Sequence, residues 1–137
     1  MTYVYDASFI GSIIIPDEKN IRTEKAYASV GEDESIFVPQ LFWYEISNLF
    51  KNLLRRKRYR MDDIVEFYQS LAAIRLINDN ESGIGYSKKL LYFCNDYDLS
   101  SYDASYLELA ERKNATLCTF DEYLITAAKK SGVRVLN

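Results

Sequence analysis

Histidine does not occur among the 137 residues of this chain. Its absence excludes catalysis by a histidine base or nucleophile, and it excludes every metal site with an imidazole ligand. Ribonucleases that use paired histidines, Ser-His-Asp hydrolases and histidine-ligated zinc enzymes are therefore ruled out. Any catalysis must depend on carboxylates or on Tyr, Lys, Ser, Thr or Cys side chains.

Cysteine is also rare, since Cys94 and Cys118 are the only two. They form neither a C-x-x-C pair nor a zinc-ligand spacing, which favours buried free thiols in a reducing compartment. The N-terminus lacks the basic and apolar regions of a secretory signal, and no run approaches the roughly 20 apolar residues of a membrane span. We therefore expect a soluble, cytoplasmic protein.

The size and composition are those of an ordinary globular domain, with 48% hydrophobic and 27% charged residues. No linker, repeat or low-complexity segment divides the chain, so we expect one domain over residues 1–137. The net charge is −3, so binding of nucleic acid would need a local basic patch. Tyrosine is abundant, with 12 residues, which favours either an interface or the edge of a tyrosine-rich core.

Short β-prone runs alternate with helical segments along the whole chain. The predicted strands are Thr2–Asp6, Ser35–Pro39, Ile74–Ile77, Ala115–Thr119 and Val133–Leu136. The predicted helices are Ala7–Ile15, Asp17–Val30, Gln40–Arg58, Met61–Ala73, Glu81–Tyr97, a segment from Ser100 or Ser101 to about Lys113, and Asp121–Lys130. This alternation indicates an α/β fold in which helices cover both faces of a parallel sheet. In such sheets, sites form at the carboxyl ends of the strands.

Four acids lie where this architecture places candidate sites. Asp6 ends the first strand, Asp121 follows the fourth, and Glu45 and Asp103 lie in the first turns of helices. If the four met, mutual repulsion would raise their pKa values and favour a bound cation. Mg²⁺ and Mn²⁺ prefer such oxygen ligands, and either metal can activate water against a phosphodiester. Taken singly, each acid is more readily explained as a helix N-terminal or solvated residue, and spacing alone does not bring them together.

Four short motifs carry a resemblance to a known family. They are Val4–Phe9 (VYDASF), Tyr44–Leu49 (YEISNL), Leu99–Ala110 (LSSYDASYLELA) and Leu117–Asp121 (LCTFD). In this order and spacing they resemble the motifs of PIN domains, and of the VapC-like toxins in particular. The likeness spans nearly the whole chain, and the third motif is the most specific.

The resemblance implies a three-layer α/β/α fold with a central parallel sheet and an acidic pocket that binds Mg²⁺ or Mn²⁺. It implies endonucleolytic cleavage of RNA, with tRNA a frequent target, by the toxin of a toxin–antitoxin pair. The catalytic and metal-binding acids of the family match Asp6, Glu45, Asp103 and Asp121. Its supporting polar positions match Ser8, Asn48 and Thr119.

The resemblance also implies two kinds of protein partner. One is a cognate antitoxin, from which an arginine could pair with the carboxylates in place of the metal. The other is a second copy of the chain, because family likeness and the tyrosine excess both favour a homodimer. The helices at Ala7–Val30 and Met61–Ala73 are candidate dimer faces.

Two further segments could serve these partners or the RNA. The basic segment Lys51–Arg60 follows Glu45 on the same predicted helix. It could bind an RNA backbone, or it could be a solvated helix end whose charges suit the helix dipole. The candidate phosphate contacts in this segment are Lys51, Arg55, Arg56 and Arg58. The aromatic run Phe42–Tyr44 either lines a groove for a partner segment or belongs to the core.

Three other function classes are compatible with a chain of this size and fold class, and the sequence fits them less well. The main alternative is a catalytically weak PIN-like module that binds RNA or a partner protein. A receiver-like phosphotransfer domain would need paired acids after the first strand and a lysine near the end. A haloacid-dehalogenase phosphatase would need Asp-x-Asp there. Asp6-Ala7-Ser8 supplies a single acid, which disfavours both phosphoryl-transfer classes.

Overall fold

A five-stranded parallel sheet forms the centre of the computed structural model, which describes residues 1–136. The strands are β1 (Thr2–Tyr5), β2 (Ser35–Val38), β3 (Leu76–Asn78), β4 (Thr116–Cys118) and β5 (Val135–Leu136). The α-helices of this range are α1 (Ala7–Ile14), α2 (Ile21–Ala28), α3 (Leu41–Arg55), α4 (Met61–Ala73), α5 (Ile84–Tyr97), α6 (Ser101–Arg112) and α7 (Glu122–Ser131). None of them combines the length and the apolar character that crossing a membrane requires.

The strand order is β3-β2-β1-β4-β5, with every neighbouring pair parallel. From β1 the chain builds outward through β2 to β3, then returns to place β4 on the other side of β1. The direction of winding therefore reverses between β1 and β4. In parallel sheets, such a reversal opens a crevice at the carboxyl ends of the two strands, where ligands commonly bind.

The two faces of the sheet carry separate hydrophobic cores because side chains alternate along each strand. On β1, Tyr3 and Tyr5 pack with α1, α3 and α4 on one face, whereas Val4 packs with α6 and α7 on the other. Helix α2 joins the first face through Ala26 and Tyr27, and α5 joins the second. This arrangement confirms the predicted three-layer α/β/α fold with a central parallel sheet.

The predicted helix Asp17–Val30 is wrong at its start and its end. Pro16 begins a short 3₁₀ helix that covers Pro16–Glu18. Helix α2 starts only at Ile21, because the Asn20 side chain accepts a hydrogen bond from the backbone N–H of Arg22. Such a capping bond satisfies a helix donor that would otherwise lack a partner, and so it begins a new helix.

Two other predicted boundaries shift for similar local reasons. The strand predicted at Ile74–Ile77 is β3, and it begins at Leu76 because Ile74 still caps α4 through a bond to the carbonyl of Leu71. The helix predicted to reach Arg58 ends at Arg55, and Lys57 beyond it has a left-handed backbone with φ of 57°. Left-handed residues are typical of helix C-terminal caps.

Gly11 allows α1 to approach α3 closely. A Cβ atom at this position would lie 3.1 Å from Cδ2 of Leu49 and 3.3 Å from a carboxylate oxygen of Glu18. Both contacts are closer than ordinary van der Waals packing. Because α1 follows Asp6 and α3 carries Glu45, this close packing holds two of the candidate acids on neighbouring elements.

Candidate active site

Asp6 lies at the junction of β1 and α1, in the crevice where the sheet winding reverses. Its Oδ1 accepts hydrogen bonds from the backbone N–H of Phe9 at 2.8 Å and from the hydroxyl of Ser8 at 2.9 Å. Its Oδ2 accepts a bond from the hydroxyl of Thr119. Burial raises the pKa of Asp6, the negative charge of Asp121 adds to the rise, and the three hydrogen bonds oppose it. Hydrogen bonds therefore hold the carboxylate at a buried position where its ionised form is disfavoured.

Thr119 connects Asp6 to Asp121. The Thr119 hydroxyl, which donates to Asp6, accepts a hydrogen bond from the backbone N–H of Asp121 at 3.0 Å. Asp121 in turn caps α7, because its Oδ1 accepts from the N–H of Leu124 at 3.1 Å. One buried threonine thus sets the positions of two acids that belong to different strand ends.

The other two acids reach the crevice from helices. Glu45 lies half-buried in the second turn of α3, and its Oε1 accepts a hydrogen bond from the hydroxyl of Tyr106 at 2.5 Å. Asp103 lies in the first turn of α6, where its backbone N–H donates to Ser100 at 3.2 Å. Helix α6 therefore brings both Asp103 and the tyrosine that contacts Glu45.

The charges of the four acids act on one another. Burial is the main cause of the raised pKa values of Glu45 and Asp103. The charges of Asp6 and Asp103 add to the rise at Glu45, and those of Asp121 and Asp6 add to the rise at Asp103. Within residues 1–136, however, no three Asp, Glu or Cys side chains converge closely enough to hold a metal ion by themselves. The crevice therefore contains an acidic cluster without a closed ligand cage.

The predicted supporting and basic residues occupy different places. Ser8 and Thr119 contact Asp6, whereas Asn48 is exposed on α3, one turn beyond Glu45. The basic residues lie farther along α3 and beyond its end. At 1.5 Å per residue, Lys51 is about 9 Å and Arg55 about 15 Å along the helix axis from Glu45.

The basic segment is mostly solvated. Lys51, Arg55 and Arg56 are exposed. Arg58 instead forms ion pairs with Asp17 at 3.1 Å and with Glu18 at 3.9 Å, so its charge is already partly matched within the chain.

The aromatic run Phe42–Tyr44 divides between the core and the surface. Phe42 is fully buried, and Trp43 donates its indole N–H to the side chain of Asn78 at 2.7 Å. Tyr44, next to Glu45, is 72% exposed. Only part of the run is therefore available to a partner.

Two features of the site region were not predicted from the sequence. The first is the contact between Tyr106 and Glu45. The second is a buried charge cluster, defined here as Asp79, Glu108 and Arg112. Arg112 bonds Asp79 at 2.7 and 3.1 Å and Glu108 at 2.9 and 3.0 Å. The spacing of four residues between Glu108 and Arg112 was a usable signal, since such pairs meet on one helix face.

The fold and the site define a class of protein. It is an α/β/α sandwich with an acidic crevice at the point where the winding of a parallel sheet reverses. The family model of the PIN domain matches residues 3–130, and the chain belongs to this family. The family resemblance read from the four sequence motifs is thereby confirmed.

Individual relatives agree with this placement. The chain is 27% identical over 128 residues to ribonuclease VapC3 of Pyrobaculum aerophilum, an alignment that covers 90% of this chain and 92% of that protein. It is similar in fold to VapBC-1 of Haemophilus influenzae, with a TM-score of 0.66, 13% identity, and 98% and 96% of the two chains covered. It is also similar to a toxin–antitoxin complex from Klebsiella pneumoniae, with a TM-score of 0.56, 17% identity, and 87% and 86% covered.

Proposed function

We propose that this protein is a metal-dependent endoribonuclease that acts as the toxin of a toxin–antitoxin pair. The observation that carries the proposal is the buried Asp6, held at the winding reversal by Ser8, Thr119 and the N-terminus of α1, with the charge of Asp121 acting on it. Membership of the PIN family and the likeness to a protein named as a ribonuclease support the same conclusion.

The residues proposed to hold a divalent cation are Asp6, Glu45, Asp103 and Asp121. Their chemistry fits Mg²⁺ or Mn²⁺, because all the donor atoms are carboxylate oxygens. Mg²⁺ usually keeps several waters and takes only one or two protein carboxylates, so a closed cage of three acids is not required. When bound, such an ion activates water and stabilises the charge that develops on a phosphodiester.

Hydrogen bonds within the chain hold two of the proposed ligands in position without a bound cation. Ser8 and Thr119 fix both oxygens of Asp6, and the backbone bond from Asp121 to Thr119 extends the same support to a second acid. Partners of this kind usually orient metal-binding groups and affect metal affinity strongly. For RNA, we propose that the exposed Lys51, Arg55 and Arg56 contact phosphates away from the scissile bond, with Arg58 a weaker candidate because of its ion pairs.

Cleavage of RNA by the purified protein should require Mg²⁺ or Mn²⁺. Excess EDTA is expected to abolish the activity, and added Mn²⁺ is expected to restore it. Denaturing gels of defined RNAs, including tRNA, measure the effect, and sequencing of the cleaved ends identifies the bond that is cut. Undiminished cleavage in excess EDTA would contradict the metal dependence.

The same assay separates the nuclease from a catalytically weak binding module. A binding module would retain RNA in filter-binding or gel-shift measurements with Mn²⁺ present and leave it intact. The exposed cations Lys51, Arg55 and Arg56 favour RNA binding in either case. The acidic crevice favours cleavage, because a surface selected only to bind RNA gains nothing from clustered negative charge.

We further propose that a cognate antitoxin neutralises the enzyme by inserting an arginine into the acidic crevice. A guanidinium can pair bidentately with carboxylates and so supply the positive charge that the cluster lacks. The exposed Tyr44 and the partly exposed Trp43 next to Glu45 offer apolar surface to a flanking segment.

Antitoxin should therefore lower both RNA cleavage and the affinity for Mn²⁺. Titration calorimetry with Mn²⁺, in the presence and absence of antitoxin, measures the competition. Inhibition of cleavage with unchanged Mn²⁺ affinity would place the antitoxin at a different surface.

A homodimer, a single domain over the whole chain and a cytoplasmic location stay predictions.

A further inference from the structure

Tyr106 is a buried tyrosine whose only polar group points at a candidate ligand. Its side chain is 2% exposed, and its hydroxyl donates to Oε1 of Glu45 at 2.5 Å. It lies three residues after Asp103 on α6, so the two side chains share a helix face. Tyr106 thus connects α6, which carries one acid, to α3, which carries another.

Glu45 needs such a partner because its neighbours repel it. The charges of Asp6 and Asp103 both act on its carboxylate, and the side chain is only half-buried. A glutamate has several rotatable bonds, and fixing them costs conformational entropy. Without a donor on the crevice side, repulsion and entropy would both favour rotation of the carboxylate toward solvent.

We propose that Tyr106 is a positioning residue that holds Glu45 in the acidic crevice by its hydroxyl and leaves Oε2 of Glu45 available to a cation. This inference rests on the proposed metal-dependent function. A hydroxyl is suited to the task because it donates a hydrogen bond without adding a charge, so it does not compete with the cation for the neighbouring acids. A lysine or arginine in its place would neutralise the cluster.

A purely structural reading of Tyr106 makes a different prediction. If the ring only fills the core, the bond to Glu45 does no more than give the buried hydroxyl a hydrogen-bond partner. Removal of the hydroxyl then changes stability alone. If the hydroxyl positions Glu45, removing it changes cation binding through Glu45. A double-mutant cycle between the two residues separates these cases.

The experiment compares wild type, Tyr106→Phe, Glu45→Gln and the double variant, with Tyr92→Phe on α5 as the control for loss of an exposed tyrosine hydroxyl. The affinity for Mn²⁺ is measured by electron paramagnetic resonance of the free ion, and circular dichroism reports whether each variant is folded. Tyr106→Phe is expected to weaken Mn²⁺ binding by about 10-fold to 100-fold, as loss of groups that orient metal ligands does. In the Glu45→Gln background, the same change should have little further effect.

Each outcome has a definite meaning. Unchanged Mn²⁺ affinity in folded Tyr106→Phe overturns the positioning role, and so does an equal loss with and without Glu45. In both cases the proposed function survives, provided that wild type binds Mn²⁺ and cleaves RNA. A wild-type protein that does neither overturns the proposed function and this inference together.

Discussion

Replacement of Asp6 by asparagine should reduce RNA cleavage by at least about 100-fold. Loss of a residue that only supports a metal ligand lowers metal affinity or activity by up to about 100-fold, and Asp6 is itself a proposed ligand. The change removes the charge that a cation would bind, but it removes little side-chain volume. The side chain keeps an oxygen that can accept the bonds from Phe9 and Ser8, so the start of α1 is preserved. Cleavage of a defined RNA with Mn²⁺ present measures the loss.

The stability of this variant gives an independent check with a known sign. Because the folded-state pKa of Asp6 is raised, its ionised form is disfavoured by folding. The metal-free wild type therefore loses stability as pH rises from the unfolded pKa of about 3.9 through the raised folded value. Asparagine removes that cost, but it loses the bond from Thr119, because an amide NH₂ group at the Oδ2 position cannot accept a hydrogen bond. In EDTA at neutral pH the variant should therefore melt close to wild type.

Asp33→Asn is the matched control, since Asp33 is an exposed acid in the turn before β2, at the opposite edge of the sheet from the crevice. It should cleave RNA at the wild-type rate. Full activity of Asp6→Asn, with contaminating nuclease excluded, would refute the assignment of Asp6. Equal losses in both variants would point to a general effect of charge instead.

The buried charge cluster supports the second large prediction, a loss of about 3–5 kcal/mol of unfolding free energy in Arg112→Ala. Glu108 is 1% exposed and Asp79 is buried, and both lose their strongest cation contact in this variant. Lys89 remains near Glu108 at 3.4 Å, but its side chain is about half exposed and cannot replace a bidentate guanidinium. Urea unfolding followed by circular dichroism measures the difference.

Lys88→Ala is the control for this change, because Lys88 is an exposed cation within α5. It should alter the unfolding free energy by less than about 0.5 kcal/mol. A variant that replaces all three members of the cluster with neutral residues of similar size should recover much of the loss, since no buried charge is then left unpaired. A loss below about 1 kcal/mol in Arg112→Ala would show that water reaches the cluster and screens it.

Most of the fold could be predicted from the sequence because local periodicity determines where helices and strands form. Met61–Ala73 was predicted with the correct ends, since Asp63 caps the helix start and an apolar stripe runs through it. The segment after Pro16 was predicted less well. The capping bond of Asn20 divides that segment, and the composition around it suits a continuous helix equally well.

The residues of the site could be predicted from the sequence, but the contacts between them could not. Asp6 and Thr119 are 113 positions apart in sequence, and Tyr106 and Glu45 are 61 apart. Neither pair leaves a local pattern, because each meets only when α3, α6 and β4 have packed around β1. The partner of Glu108 on the same helix was foreseeable from spacing, whereas Asp79, at the end of β3, was not.

The outer strands of the sheet limit how another polypeptide can join this protein. Within residues 1–136, the edge strand β3 has three residues and β5 has two, so each exposes only a short row of unpaired backbone groups. Strand addition by a partner, and sheet-to-sheet aggregation, both need a longer row of this kind. We therefore expect protein partners to dock against helices and loops, and we expect the protein to resist edge-to-edge association when it is concentrated.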